Sequence, residues 1–371
     1  MINGKTVMMN VDFYDQCHYA DVHNQGLYDE KRIDNLVRQC RDQDVDILFW
    51  RLTVGGTVAY PSKVETVFGG CFYKYSRALV AVLKKFDPLE IGSKYARKYG
   101  LKIYPWIDLY DKFFLSLESR LVKEHPEYQW KDRSGSFYLR GVPCYAYPEV
   151  RQWELNHIRE VLGYDIDGLL LTMGSHCDQN CPYREKDMFG YNAPIVQEYQ
   201  RRHGVDIRHF DDVVFEYDEK HFIQKIRYLG GDFDRTLWHR LKGEYFTLFL
   251  EEVRHEIKKG NKKVILAVNN LTEGPRPMAR HYLDLEKWSR DDLLDGLILC
   301  EYWKEDGRFD AELVNKIKKR IGDKNLYIWQ WVSPKSQGFE TVSKCVRNAV
   351  DNEGKRNIDG LALHEAASFE F

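Results

Sequence analysis

Three segments of this chain carry nearly the same phrase: Asp167-Gly168-Leu169-Leu170-Leu171, Asp295-Gly296-Leu297-Ile298-Leu299 and Asp359-Gly360-Leu361-Ala362-Leu363. Each runs through consecutive apolar residues, as a parallel strand covered on both faces does. The second continues into Cys300-Glu301-Tyr302-Trp303 and the third into His364-Glu365, so two carboxylates stand at one offset beyond matched strand starts. Matched carboxylates at strand ends point to a reaction centre.

Segments of the same kind at 6–12, 46–51, 102–108, 264–269 and 326–331 bring the strands to eight, separated by helical patterns such as Glu30 to Gln43, Pro148 to Leu162 and Arg235 to Lys259. Right-handed crossovers curl such a series into a closed (β/α)8 TIM barrel of the α/β class. An open doubly wound sheet is the competitor, but Asp12-Phe13-Tyr14-Asp15 stands where its Gly-rich phosphate turn belongs. Residues 1–371 are expected to form one catalytic domain. Long inserts follow strands two, three and four (53–87, 109–147 and 173–235), on the face where barrels place their chemistry, and their many aromatics are candidates to wall a cleft. Phe371 follows the eighth strand too closely for a closing helix, so a homo-oligomer contact, a downstream segment or an insert is expected to cover that side.

Lys plus Arg number 55 against 57 for Asp plus Glu, which gives no field for drawing in nucleic acid or an anionic membrane. No stretch has the roughly 20 apolar residues of a membrane span, and no signal segment precedes the first strand. A complete chain is thus expected in the cytoplasm, and one with a removed signal outside it. Aromatic residues make up 14% of the chain, suited to flat, weakly charged ligands. Of the eight cysteines, Cys40, Cys300 and Cys345 read as core and the others as loop residues, with no legible disulfide framework.

The strand exits carry Asn10, Asp12 and Tyr14; Trp50 and Arg51; Trp106 and Asp108; Thr172 and His176; Asn269; Glu301, Tyr302 and Trp303; Trp329 and Trp331; His364 and Glu365. This is the inventory of a sugar site, in which polar groups meet hydroxyls and aromatic rings meet CH faces. Glycosidic cleavage needs one protonated and one ionised carboxyl group. Glu301 is the expected acid and Glu365 the base or nucleophile, with the reverse open. Their strands lie two apart, about 9–10 Å between backbones at ~4.8 Å per strand, and inversion is favoured. Asp12 is the substitute partner for Glu365. Asn269, His364 and Asp108 are expected to orient hydroxyls.

Strand alternation sends some of these side chains outward into the helix layer. Trp329 and Trp331 share one face and Gln330 takes the other. His176, Cys177, Asp178 and Cys181 have the composition of a zinc cluster without a second paired motif, so no metal and no cofactor is expected.

The segments Tyr104-Pro105-Trp106-Ile107-Asp108, His125-Pro126-Glu127-Tyr128, Tyr147-Pro148-Glu149-Val150-Arg151, Phe189-Gly190-Tyr191-Asn192 and the helix around Trp238 to Tyr245 resemble, in this order, the glycosyl-hydrolase-like family 10 group. The resemblance implies a (β/α)8 fold and carbohydrate hydrolysis. Its pattern often places an acid at the end of strand four, where this chain has Thr172, and Trp329-Gln330-Trp331 supplies no carboxylate on strand seven. The expected function is cleavage of a glycosidic bond in an oligo- or polysaccharide. The alternative is a catalytically silent carbohydrate-binding barrel.

Overall fold

The computed structural model describes residues 1–23, 25–70, 76–174, 189–209, 213–218, 223–228, 234–269, 281–300, 311–332 and 341–367. Eight parallel strands close into a barrel: β1 (Thr6–Val11), β2 (Ile47–Arg51), β3 (Lys102–Asp108), β4 (Gly168–Thr172), β5 (Lys263–Asn269), β6 (Gly296–Cys300), β7 (Asn325–Trp331) and β8 (Gly360–His364), each beside its sequence neighbours and β8 beside β1. The closure rules out the open sheet. Helices α1 (Phe13–Val22), α2 (Glu30–Asp42), α3 (Pro88–Tyr99), α4 (Pro148–Leu162), α5 (Arg235–Lys258), α6 (Leu285–Arg290), α7 (Ala311–Ile321) and α8 (Val342–Glu353) lie between the strands in sequence. Asp12, Asp29 and Asp87 cap the starts of α1, α2 and α3 by accepting backbone N–H groups of the first turn.

Alternation divides each strand between two cores. Met8, Phe49, Tyr104, Leu170, Ile298, Tyr327 and Ala362 fill the barrel, while Val7, Leu48, Ile103, Leu169, Leu297, Ile328 and Leu361 join the layer between strands and helices. Both cores are closed to solvent, so the barrel is a packed solid rather than a pore.

The repeated Asp-Gly acquires a structural meaning. Asp46, Asp167, Asp295 and Asp359 precede the even-numbered strands, and the Oδ2 of each accepts the N–H of the second residue of the preceding odd strand: Val7, Ile103, Val264 and Leu326, at 2.7–2.9 Å. The same aspartates donate their own N–H to the carbonyls of those four residues, and their carbonyls accept the N–H of the next odd strand, at Lys102, Lys263, Asn325 and Thr6. The result is a hoop of hydrogen bonds around the amino-terminal mouth. Glycine follows three of these aspartates because a Cβ at Gly168 would stand 2.5 Å from the Lys263 carbonyl and 2.7 Å from the Tyr104 ring, and one at Gly296 would stand 2.8 Å from the Tyr327 ring. At Gly360 the obstacle is the Thr6 carbonyl.

The inserts after β2 and β3 pack mainly inward. Tyr60, Phe68, Trp130 and Tyr145, together with Phe189 and Tyr191 of the insert after β4, are buried in the outer core instead of walling a cleft, whereas Phe137 is half exposed. Beneath them the Lys112 ammonium meets Glu154 of α4 at 2.7 Å, both fully buried, with His157 of α4 against the Tyr60 ring and Glu65 accepting from Ser119 and Trp153. Burial pushes Glu154 up to about 7 against the pull of Lys112, and pushes His157 down to about 3. Cys17 belongs to α1 rather than to a loop and is buried, as are Cys40, Cys144, Cys300 and Cys345. No described helix is long and apolar enough to cross a membrane.

Candidate active site

The inward positions at the carboxyl ends of the strands gather Asn10, Arg51, Trp106, Asp108, Thr172, Trp329, Trp331 and His364. Arg51 is the hub. Its Nη1 donates to Asp12 Oδ2 (2.5 Å), its Nη2 to Asp108 Oδ2 (3.2 Å) and its Nε to the Thr53 carbonyl (2.9 Å), while the guanidinium lies 4.7 Å from the centre of the Trp106 ring. Asp108 accepts in addition from Trp106 Nε1 (2.8 Å), from Thr53 Oγ1 (3.2 Å) and from Thr172 Oγ1. A carboxylate offers about four lone-pair directions. Those of Asp108 are taken up by the scaffold, which corrects its expected role as a binder of sugar hydroxyls.

Asp12 plays two parts. Its Oδ1 accepts the N–H groups of Tyr14 and Asp15 at the start of α1, and its Oδ2 holds Arg51. Burial works to raise this carboxyl, but the charge and hydrogen bond of Arg51 outweigh it and hold Asp12 below the usual carboxylate range.

Trp106, Trp329, His364 and Trp331 form a continuous aromatic wall. Trp329 packs edge-on to Trp106 (5.3 Å) and tilted against His364 (5.4 Å), and Trp331, a residue 52% exposed, meets His364 edge-on at 4.3 Å. Burial pushes His364 down to about 4, against Asp12, so the imidazole is neutral, and its Nδ1 stands 3.3 Å from Asn10 Nδ2.

Glu365 follows β8 through a cis peptide bond and is 7% exposed. The N–H of Ala366 donates to the Asn10 carbonyl (2.9 Å), drawing this segment across β1. There one carboxyl oxygen from each of Glu365, Asp12 and Asp15 lies within 4.8 Å of the other two. Burial, then the charges of Asp15 and Asp12, push Glu365 up to about 9, with Arg51 opposing. It is therefore protonated at neutral pH. The three acids form a group of a size that a cation spans.

Two expected ligand residues sit elsewhere. Trp50 points into the helix layer, stacked on Phe13 at 5.4 Å and fully buried, because its neighbour Arg51 takes the inward position. The Tyr14 hydroxyl donates to the carbonyls of Leu52 and Thr57, and its ring meets Phe68, so it anchors the insert after β2. Glu301, Tyr302, Trp303 and His176 lie outside the described residues, as do Cys177, Asp178 and Cys181 and the side chain of Asn269, whose backbone ends β5 opposite Cys300. Asp15 was missing from the candidates. Its signal is the Asp12-x-x-Asp15 spacing, which sets two acids on one side of a helix start. A hollow of about 810 Å³ opens at the opposite, amino-terminal mouth among Arg41, Asp44, Lys102, Tyr104 and Tyr327, away from these groups.

Comparison with known proteins agrees with this geometry in fold. The structure is similar to the glycoside hydrolase domain of PgaB (BpsB) from Bordetella bronchiseptica, with a TM-score of 0.58, 10% identity, and coverage of 99% of this chain and 95% of that one. It is also similar to the β-galactosidase from the psychrophilic Marinomonas ef1, with a TM-score of 0.57, 12% identity and coverage of 97% of this chain, which spans 54% of that enzyme. At such identities the likeness is one of architecture. No curated protein sequence matches the chain. The model of the Glycosyl hydrolase-like 10 family matches residues 15–326, from the first turn of α1 to the start of β7. The barrel is thus of glycoside-hydrolase type, and the chain belongs to the Glycosyl hydrolase-like 10 family.

Proposed function

We propose that the chain hydrolyses a glycosidic bond in an oligo- or polysaccharide, with residues 1–371 working as a single catalytic domain. The observation that carries this reading is the placement of Glu365, which directly follows β8 with its Oε2 3.5 Å from the His364 Nε2 of the aromatic wall and whose carboxyl is pushed up to about 9 by burial and by the charges of Asp15 and Asp12. A protonated carboxyl is what a leaving glycosidic oxygen needs. Glu365 is accordingly the acid, the reverse of the role expected first. The oxygens of Asp12 are committed to Arg51 and to α1, so Asp12 serves as a fixed negative neighbour. Glu301, directly after Cys300 at the end of β6, keeps the part of ionised base or nucleophile. Trp331 offers an exposed ring face to a sugar, and His364 a neutral imidazole to its hydroxyls. Family membership supports this chemistry.

A glycan panel with product anomers followed by NMR tests the proposal. Glu365→Gln and Glu301→Gln are each expected to lower turnover about 10²–10⁴-fold while glycans still bind. A parent protein that binds glycans and cleaves none would establish the silent-barrel reading. That reading is favoured by the Arg51, Asp108 and Thr172 network, which already occupies the exits of β2, β3 and β4.

A further inference from the structure

Strand alternation sends Asn10 of β1 and His364 of β8 into the barrel at neighbouring exits. Asn10 is fully buried, out of reach of a sugar. Its side chain instead meets the imidazole, with Nδ2 3.3 Å from His364 Nδ1. Three indoles hold the ring in its plane: Trp331 edge-on at 4.3 Å, Trp329 tilted at 5.4 Å and Trp106 edge-on at 6.5 Å. The other ring nitrogen, Nε2, stands 3.5 Å from Glu365 Oε2. Asn10 and Glu365 thus stand at the two nitrogens of one imidazole. An amide nitrogen carries two N–H groups and accepts nothing, so the ring nitrogen that meets it must be the acceptor. Burial pushes His364 down to about 4 against the pull of Asp12, and a neutral imidazole has one donor and one acceptor nitrogen. The single ring proton therefore falls on Nε2, on the side of Glu365.

We infer that Asn10 is a positioning residue which holds His364 as its Nε2–H tautomer, so that the imidazole turns a hydrogen-bond donor, and not a lone pair, toward the Glu365 carboxyl. The catalytic consequence rests on the reading of Glu365 as the acid. When the glycosidic C–O bond breaks, the proton of Glu365 passes to the departing oxygen and leaves a carboxylate with Nε2–H beside it, while the imidazole keeps its own proton. A donor favours that ionised form, and a lone pair in its place would oppose it. β1 so acts on the chemistry through β8 without touching the substrate.

The test uses the full chain with isotope-labelled histidine rings, as wild type, Asn10→Asp, Asn10→Leu and His364→Gln, the last to identify the His364 signals among those of the 12 histidines. At neutral pH the nitrogen NMR spectrum of the wild type is expected to show Nε2 protonated and Nδ1 bare. Asn10→Asp puts an acceptor against Nδ1, which should become protonated. Asn10→Leu leaves Nδ1 without a partner, and the proton should be shared between the two nitrogens. On a glycoside the parent cleaves, kcat of Asn10→Asp should fall about 10–100-fold, the worth in rate of one hydrogen bond to a charged group, with KM nearly unchanged. A wild-type ring protonated on Nδ1, as with the Asn10 amide turned over, or an Nδ1 that stays bare in both folded variants, overturns the inference. A tautomer that moves while kcat does not overturns its catalytic part. A tautomer that follows Asn10 in a parent that cleaves nothing upholds the pairing of Asn10 with His364 and sinks the glycosidase reading; an unmoved tautomer in an active enzyme does the opposite.

Discussion

Asp46 and Val7 are bonded to each other twice: the Asp46 N–H donates to the Val7 carbonyl at 2.8 Å, and the Val7 N–H donates to Asp46 Oδ2 at 2.9 Å. The side chain closes a ring that a plain strand would leave open. Asp167, Asp295 and Asp359 repeat the arrangement with Ile103, Val264 and Leu326. Removing one such carboxylate strands a backbone donor, so Asp46→Ala and Asp359→Ala should each cost about 1–3 kcal/mol. Asp42→Ala, which removes only an exposed pair with Arg38, should cost less than about 1 kcal/mol. Urea midpoints measure both.

Gly168→Ala places a methyl group against the Lys263 carbonyl and the Tyr104 ring. Neither the backbone of β5 nor a ring packed in the barrel can retreat freely. A loss of about 1–3 kcal/mol is expected, against a near-neutral effect at Gly69→Ala, where nothing stands within 4 Å of the new atom. Thermal unfolding of the two variants side by side decides it.

Arg51→Met leaves Asp12 and Asp108 facing each other without their shared cation, at a predicted cost of about 3–5 kcal/mol at neutral pH. The pH dependence has a definite sign. Arg51 holds the folded Asp12 below its ordinary 3.8, so the stability it confers is present above that value and is lost as pH falls through the lowered one. The gap between wild type and variant should therefore narrow in acid, and a gap independent of pH would contradict the ion-pair account.

Glu154 reports on the buried pair under the inserts. Its folded value of about 7 exceeds the ordinary glutamate value of 4.5. Its contribution to stability is therefore fully present below 4.5 and lost as pH rises through 7. Stability of wild type relative to Glu154→Gln should decline over that window by a few kcal/mol, on the order set by ~1.4 kcal/mol per unit. Chemical denaturation at a series of pH values measures the trend.

Trp331 has the most exposed ring of the aromatic wall. Trp331→Ala should weaken glycan binding by about 0.5–1.5 kcal/mol and leave the melting temperature nearly unchanged, as calorimetry of binding and of unfolding can show separately.

The barrel was legible because its signals are local and repeated. Apolar runs, helix caps and the Asp-Gly phrase recur along the chain, and the bounds of α4 coincide with those read from Pro148 and Leu162. The meaning of the phrase was less accessible. Its fourth member, Asp46, is followed by Ile47 and does not look like a copy, and only the strand register shows that all four aspartates answer the odd strands. The exits Asn10, Arg51 and His364 were marked by residue type. Alternation alone did not tell which of Trp50 and Arg51 faces inward, because both faces of β2 are buried. The closeness of Asp15 to Glu365 depends on a segment some 350 residues away crossing β1, and no local pattern encodes that meeting.

The hoop of aspartates has a consequence for how such a molecule can change. Since closure of the cylinder is secured at the end remote from the exits, the two ends are under separate mechanical control. The sealed rim tolerates little variation, while the loops at the other can be lengthened, exchanged or rewired for new ligands with the staves still held in place.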